Sequence, residues 1–404
     1  MNKTSIEWTD YTSNLIRYRD PEGRSVHGCI KVSAGCANCY ASAWSARGLT
    51  GERGGAFTAK RQATLTPYFD DAEAQRILRT RVTGKRVFVG DMTDVFGEWV
   101  PDALLDRMFA VFAMRPDLTF QLLTKRPERM RAYLTNSGDN EPLLDGDSHE
   151  GRGQVPVQFD RVVQPGAGWQ PEGETDSGIP GQGRLGGGQG VLEVHPVGIA
   201  GDADRQSASG WGVRNRQNLL PHVRASGVAD RVEAVMESIS GENGWCSPSP
   251  LSNWPLPNVW LGVSVEDQAA ADDRIPELLD TPAAVRFLSC EPLLGQLMLR
   301  RPIVPGSFPG LHWIIVGGES GPGARPCDVG WIRDIVQQCK AAAVPVFVKQ
   351  LGSRPVGTKA EAQGGWESSQ FADPDARYER HLRDRAGRDM SEWPEDLRVR
   401  EYPS

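Results

Sequence analysis

Three cysteines fall within eleven residues of the stretch HGCIKVSAGCANCYA (27–41). Cys29, Cys36 and Cys39 are spaced C-x6-C-x2-C. Thiolates bind soft or borderline metals, chiefly zinc and iron–sulfur clusters. A C-x2-C pair lets both sulfurs reach one centre through a tight turn, and Gly28 and Gly35 give the loop freedom to wrap it. A closed structural zinc site takes four protein ligands. Three thiolates on a [4Fe–4S] cluster leave one iron open, and an open iron can bind the amino and carboxylate groups of S-adenosylmethionine. One-electron reduction then splits the sulfonium and yields a 5′-deoxyadenosyl radical, hard chemistry that belongs to the cofactors while the protein positions and shields them. Two other readings stay open at this point. One is zinc, with His27 or a distant cysteine as fourth ligand, although His27 lies only two residues from Cys29. The other is three unliganded core cysteines. The six histidines form no cluster. Neither an H-E-x-x-H zinc pattern nor a G-x-S-x-G nucleophile elbow occurs, which argues against hydrolase chemistry.

The elements that would position such a site are legible. Six short apolar, β-branched runs recur: RVFVG (86–90), TFQLLT (119–124), VWLGVSV (259–265), VRFLSC (285–290), HWIIVGG (312–318) and VPVFVKQ (344–350). Nearly continuous apolar character is expected of parallel strands buried on both faces. Helical patterns lie between them, at ALLDRMFAVFAM (103–114), DQAAADDRIPELLD (267–280, with Pro276 a candidate kink) and WIRDIVQQCKAAA (331–343). Alternating strand and helix predicts βαβ units and a parallel sheet, wound into an open sheet or a barrel. Polar or ionisable residues sit at or just past the strand ends: Asp91, Lys125, Glu266, Glu291, Glu319 and Lys349. In a β/α barrel those ends converge on one mouth, where active sites lie, so a partial or full TIM-like barrel is predicted.

Roles follow from that mouth. Lys125, Arg126 and Lys349 are candidates for binding an anionic substrate group; the bland alternative is pairing with Asp91, Glu266, Glu291 or Glu319. Glu266 and Glu291 are candidates for sugar hydroxyls or substrate positioning. GGESGPGARP (317–326) lets backbone approach a ligand closely at Gly317 and Gly318, with Glu319 or Arg325 able to bind ribose or carboxylate; a tight turn is the alternative. Cys290, at a strand end, is a candidate hydrogen-atom donor or, more simply, a buried small hydrophobe.

Composition sets the limits. Of 404 residues, 39% are hydrophobic and 24% charged, ordinary globular usage. The net charge of −7 argues against a DNA-coating protein. It is concentrated in residues 136–257, which hold sixteen acidic and eight basic residues, leaving the remainder near neutral. That near-neutral remainder argues against nonspecific DNA binding. The same segment holds 21 of the 45 glycines, including GIPGQGRLGGGQG (178–190), which can bury little apolar surface. Residues 136–254 therefore read as an insertion, largely loop or disordered, with one helical pattern at 222–240. It separates a first barrel part, 1–135, from a second, 255–352. A charged extension, 353–404, follows, with a short helix predicted at 376–385. Trp393, Leu397, Val399 and Tyr402 are candidates to anchor it. No apolar run approaches membrane-spanning length and MNKTSIEWTD lacks a signal peptide's apolar core, so a cytoplasmic protein with no membrane partner is expected.

A wider set of motifs now joins the cysteine loop: IEWTD (6–10), GDMTDVFGEWVPD (90–102), QLLTKRPERM (121–130), PNVWLGVSVEDQ (257–268), RFLSCEPLLG (286–295), WIIVGGESGPGARP (313–326), VFVKQLG (346–352) and EWPEDLRVREYP (392–403). Together they resemble the phage "gene product thirty-seven / sixty-eight" family, phage and prophage proteins of largely undefined function that are similar to radical SAM enzymes. The resemblance implies a radical-SAM-like barrel, a [4Fe–4S] cluster on the three cysteines and S-adenosylmethionine as cofactor. It further implies that Gly90, Asp91 and Asp94, after the second strand, contact the cofactor's amino group. A reductant such as flavodoxin or ferredoxin would serve as partner, and the phage context suggests a nucleotide or nucleic-acid-related substrate. The chain departs from the usual C-x3-C-x2-C spacing, with a first gap of six, and Asn38 stands where an aromatic usually precedes the last cysteine.

Overall fold

The computed structural model describes residues 1–48, 55–135, 227–243, 251, 253–299, 310–357 and 378–403. Contacts divide the chain into Met1–Glu141 with Val223–Ser404, and Pro142–His222. The latter segment, with the Gly-rich stretch, lies outside the described residues.

The chain opens with Asn2–Lys3 (β1), Tyr11–Ser13 (β2), Ile16–Arg19 (β3) and Ser25–Val26 (β4). The cysteine loop leads into helix Tyr40–Arg47 (α1), then Ala59–Gln62 (α2), Thr66–Phe69 (β5) and Asp71–Arg79 (α3). Next come Arg86–Val89 (β6), Asp102–Ala113 (α4), Thr119–Thr124 (β7), Pro127–Thr135 (α5) and Gly227–Asn243 (α6). The second part holds Val259–Ser264 (β8), Gln268–Leu279 (α7), Val285–Cys290 (β9), Trp313–Gly317 (β10), Cys327–Asp328 (β11) and Val329–Ala342 (α8). Val346–Gln350 (β12), Pro355–Gly357 (β13) and Tyr378–Glu379 (β14) complete the strands among the described residues. All six apolar runs read from the sequence are strands. The helix expected at 376–385 does not form: its described residues hold β14 and turns.

The main sheet has eight strands in the order β1-β2-β6-β7-β8-β9-β10-β12. Every pairing from β2 to β12 is parallel, and only β1 runs antiparallel. Sequential order, with helices in every crossover but β9–β10 among the described residues, is that of a β/α barrel. The sheet does not close into one: β1 and β12 remain at its two edges. It is a curled half-barrel, and the aromatic contacts on its concave face measure the curl. Strands β6 and β9 are three positions apart, about 14 Å on a flat sheet. Yet Trp8 lies 4.8 Å from Phe88 of β6 and 6.3 Å from Phe287 of β9, ring centre to ring centre. Side chains alternate strictly: Val87, Val89, Leu288, Ile314 and Val348 face the helices, while Phe88, Phe287, Trp313 and Phe347 fill the concave floor.

The C-terminal segment seals that floor. Val399 accepts from the Val348 amide at 2.9 Å, and the Glu401 amide donates to Val346 at 3.0 Å, covering the β12 edge. Tyr402 reaches both sides of the half-barrel. Its ring lies 5.3 Å from Phe347, under the Arg86 guanidinium at 3.9 Å, and its hydroxyl donates to Glu7. Trp393 and Leu397 are buried and Val399 is partly so, so the charged tail is anchored by its apolar residues.

Part of the segment read as an insertion, 136–254, packs in the core. Helix α6 belongs to the core, burying Val228, Val232, Met236 and Ile239 in it. Arg231 of α6 pairs with Asp106 of α4 at 3.0 Å. The helical pattern was visible, but its apolar stripe has no partner until α4 is brought beside it. Val232 is fully buried, so Val232→Asp is expected to cost more than about 4 kcal/mol through an unpaired buried charge. Urea unfolding of the full chain measures it; a loss below about 1 kcal/mol would return α6 to the insertion.

Candidate functional site

At the carboxyl ends of the strands, above the aromatic floor, lies a cleft of about 290 Å³. Its walls include Cys29, Cys36 and Cys39, with Asp91, Asp94, Lys125, Arg126, Glu291, Glu319 and Lys349. Trp8, Phe88 and Leu123 form its apolar base. The size is near the lower end for small-ligand pockets.

The cysteine loop has little apolar surface of its own, and strand-end groups hold it by its backbone. Thr93 Oγ1 donates to the Gly28 carbonyl at 2.6 Å. Arg126 Nη2 donates to Ile30 at 3.0 Å, and Arg325 Nη1 to Ala34 at 2.9 Å. The Gly35 amide donates to Glu266 Oε1 at 3.3 Å. Asn38 Nδ2 donates to Glu319 Oε2 and to the Gly323 carbonyl, each at 2.9 Å. Tyr40 Oη closes the set on the Asp91 carbonyl at 2.7 Å. Between these clamps Ala34–Cys36 makes one 3-10 turn, and Cys39 is the N-cap of α1. A Cβ on Gly35 would sit 3.0 Å from the Glu266 carboxylate carbon, tighter than ordinary packing.

The clamps are themselves braced. Glu266 and Arg274 are both buried and pair at 2.9 Å. Burial would raise the Glu266 carboxyl, but the Ser33 hydroxyl, Arg274 and Lys125 outweigh it and hold the group below its ordinary range. Glu319 is likewise held low against burial by Arg325, which binds it at 2.6 Å, and by Asn38. Arg126 is buried between Asp94 at 3.0 Å and Glu98 at 3.1 Å, with Trp99 beneath its guanidinium. Asp94 also accepts from Thr124 Oγ1 and the Lys125 amide. Lys349 pairs with Glu291 at 2.6 Å, and Gln350 donates to the same oxygen.

The structure thus brings ten of the fourteen candidate residues to one cleft, and Glu266 lies beneath the loop. It does not bring Gly90, Gly317 or Gly318 to the cleft wall. Gly90 turns the chain after β6 with φ +83°. Gly318 packs on β12, where a Cβ would stand 2.3 Å from the Leu351 carbonyl oxygen. Of the mutual pairings offered as the alternative, the described residues hold Glu291–Lys349; Arg126 pairs instead with Asp94 and Glu98, Glu266 with Arg274 and Glu319 with Arg325. Cys290 points away from the cleft into the helix-facing core, as do Cys327 and Cys339. Cys246 lies outside the described residues. Sequence reasoning missed Asn14, Asn38, Ser264 and Ser289. Asn14 donates to Asp91 Oδ1 at 2.6 Å; it follows β2, a strand too short to show a pattern.

The three thiols are free, and in kind and number they suit a thiolate-held centre. Their side chains are not gathered into a cage: among the described residues no three His, Cys, Asp or Glu groups stand in metal-holding geometry. His27 is buried, its Nδ1 has no partner among the described residues, and it is not part of the cleft wall. Burial, Asp94 and Cys36 push the Cys29 thiol up to about 11 against the opposing pull of Arg126.

Fold and site define an open β/α half-barrel that carries a three-cysteine loop over its carboxyl-end mouth. The chain belongs to the family described as protein of unknown function (DUF5131), whose profile matches residues 3–170 and 214–392. No curated protein and no solved structure is matched. Among the described residues no helix is long and apolar enough to cross a membrane.

Two outcomes follow from this geometry. Burial, with Glu73 adding to it, pushes the Asp91 carboxyl up to about 6 against the Asn14 hydrogen bond. The folded state therefore disfavours the ionised form, and stability falls as pH rises from 3.8 through about 6. Asp91→Asn keeps the Asn14 bond and is expected to stabilise by roughly 2–3 kcal/mol at about pH 8, with no gain at about pH 3.5. Urea unfolding at both pH values checks this; an equal effect at both would deny the shift. Arg325→Met removes the Ala34 clamp and leaves Glu319 with Asn38. Thiol labelling of Cys36 is expected to quicken several-fold through local opening of the loop, and an unchanged rate would mean that the other clamps suffice.

Proposed function

We propose that this protein is a radical-forming enzyme of the S-adenosylmethionine type, with Cys29, Cys36 and Cys39 as ligands of a [4Fe–4S] cluster. The observation that carries the reading is the loop: three free thiols on the wall of one cleft, at the carboxyl mouth of a sequentially ordered parallel sheet. When bound and reduced, such a cluster splits S-adenosylmethionine and supplies a 5′-deoxyadenosyl radical. The clamps grip backbone atoms Gly28 O, Ile30 O, Ala34 O and Gly35 N, which leaves the cysteine side chains free to turn onto a shared centre. Asp91, oriented by Asn14, is positioned on the cleft wall to accept from a ligand amino group. Glu291 and Glu319 face the same space and would meet ligand hydroxyls at their edges. The aromatic floor excludes water from below.

The resemblance to the phage family supports the same reading, and with it a nucleotide or nucleic-acid-related substrate and a flavodoxin or ferredoxin as reductant. A reducing cytoplasm would keep the thiols free. A closed zinc site needs a fourth protein ligand, and among the described residues His27, Cys290, Cys327 and Cys339 all lie off the cleft wall, which favours three-thiolate ligation with an open position.

Protein purified without oxygen is expected to be brown and to hold about four iron and four sulfide per chain. Dithionite with S-adenosylmethionine should release 5′-deoxyadenosine, and Cys36→Ala should abolish both iron loading and release. Stoichiometric zinc without sulfide would overturn the assignment. A full cluster that never cleaves the cofactor would reduce its role to structure.

A further inference from the structure

Three cations line the cleft, and two already have ionic partners. Lys349 Nζ pairs with Glu291, and Arg126 with Asp94 and Glu98. Lys125 differs. Its backbone amide is held by Asp94, but among the described residues its ammonium has no ion pair. Its charge is felt by Glu266, which is itself bound to Arg274, Ser33 and Gly35.

Register sets two hydroxyls beside it. Thr124 of β7 is the partner of Val263 of β8, so Lys125 and Ser264 follow at the same level. Ser264 is in turn the direct partner of Ser289 on β9. Both serines are only 2–3% exposed, and what they expose faces the cleft. Among the described residues neither hydroxyl has a hydrogen-bond partner. Both hydroxyls are open to the cleft rather than sealed off, so a ligand there can reach them. One ammonium with three donors and two hydroxyls, on neighbouring strands about 4.8 Å apart, form a donor row along the cleft wall. The carboxylates nearby, Asp94 and Glu291, are taken up by Arg126, Thr124 and Lys349.

We propose that Lys125, Ser264 and Ser289 form a subsite for an oxyanion of the substrate, a phosphate or a carboxylate. The proposal deepens the functional reading above by assigning the substrate an anionic group. It does not need the cluster to be present for the anion to bind.

Calorimetric titration of the full chain with inorganic phosphate and with acetate tests it, on protein with and without reconstituted iron. Saturable binding of one of them is expected, and which one tells the source. Lys125→Met and the Ser264→Ala/Ser289→Ala pair should each weaken it about tenfold or more. Lys125→Arg should keep it, and exposed Lys340→Met should change nothing; melting curves confirm that each variant is folded. Wild-type protein that binds neither anion, or Lys125→Met that binds as well as wild type, overturns the subsite. Loss of S-adenosylmethionine binding in Lys125→Met with phosphate and acetate affinity unchanged would hand the residue to the cofactor and overturn it too. Iron content is read separately. Protein that binds the anion but no cluster fails the radical reading alone, and protein that holds the cluster but no anion fails this one alone.

Discussion

The arrangement depends on hydrogen bonds between strand-end side chains and the cysteine loop. Residues 28–39 carry too little apolar surface to fold by burial. Their conformation is imposed by Arg126, Glu266, Glu319 and Arg325, which come from the ends of β7, β8 and β10 and from the turn after β10. Each of these groups is partly or fully buried, and a buried charge persists only with a partner. Loop and mouth therefore hold each other. The loop satisfies charges that the strands carry to the rim, and those charges give the loop a shape.

That mutual hold requires the strand ends to converge, which the curl of the sheet provides. The concave face narrows onto Trp8, Phe88, Phe287, Trp313 and Phe347, a floor of large rings that leaves no room for a flat sheet. Gly262 belongs to the same constraint, because a Cβ there would stand 2.5 Å from the Phe287 ring. The open side is managed differently. The C-terminal segment covers the β12 edge, and Tyr402 bridges Phe347 to Arg86, so the floor is sealed without a closed ring of strands. Apolar packing below and polar clamping above leave a cleft between them with one unpaired cation among its described walls.

Much of this was legible. The six apolar runs are strands because continuous apolar character suits positions buried on both faces, and α4, α7 and α8 follow the three- and four-residue spacing between them. Strands β2 and β3 were not legible, since three or four residues are too few for a pattern. The helix expected near 376–385 failed because its charged residues offer no apolar stripe to bury. At the site, the sequence shows the cysteines and the polar strand ends as parts of one mouth, but not the loop-holding role of Asn38. Its partner Glu319 is 281 residues away, and no local spacing announces such a bond.

By itself, the sequence determined the local facts: which runs would be strands, that three thiols share one loop, and that charges would crowd the strand ends. These depend on periodicity and near neighbours, which a chain carries wherever it folds. Tertiary structure alone decided which charges are engaged and which are free. Arg126 and Lys125 are adjacent and look alike in sequence. Both line the cleft, but one is buried in a network with Asp94, Glu98 and the Ile30 carbonyl, and the other has no ion pair among the described residues. The difference is geometric, because the partners that engage Arg126 are brought to it by distant parts of the chain.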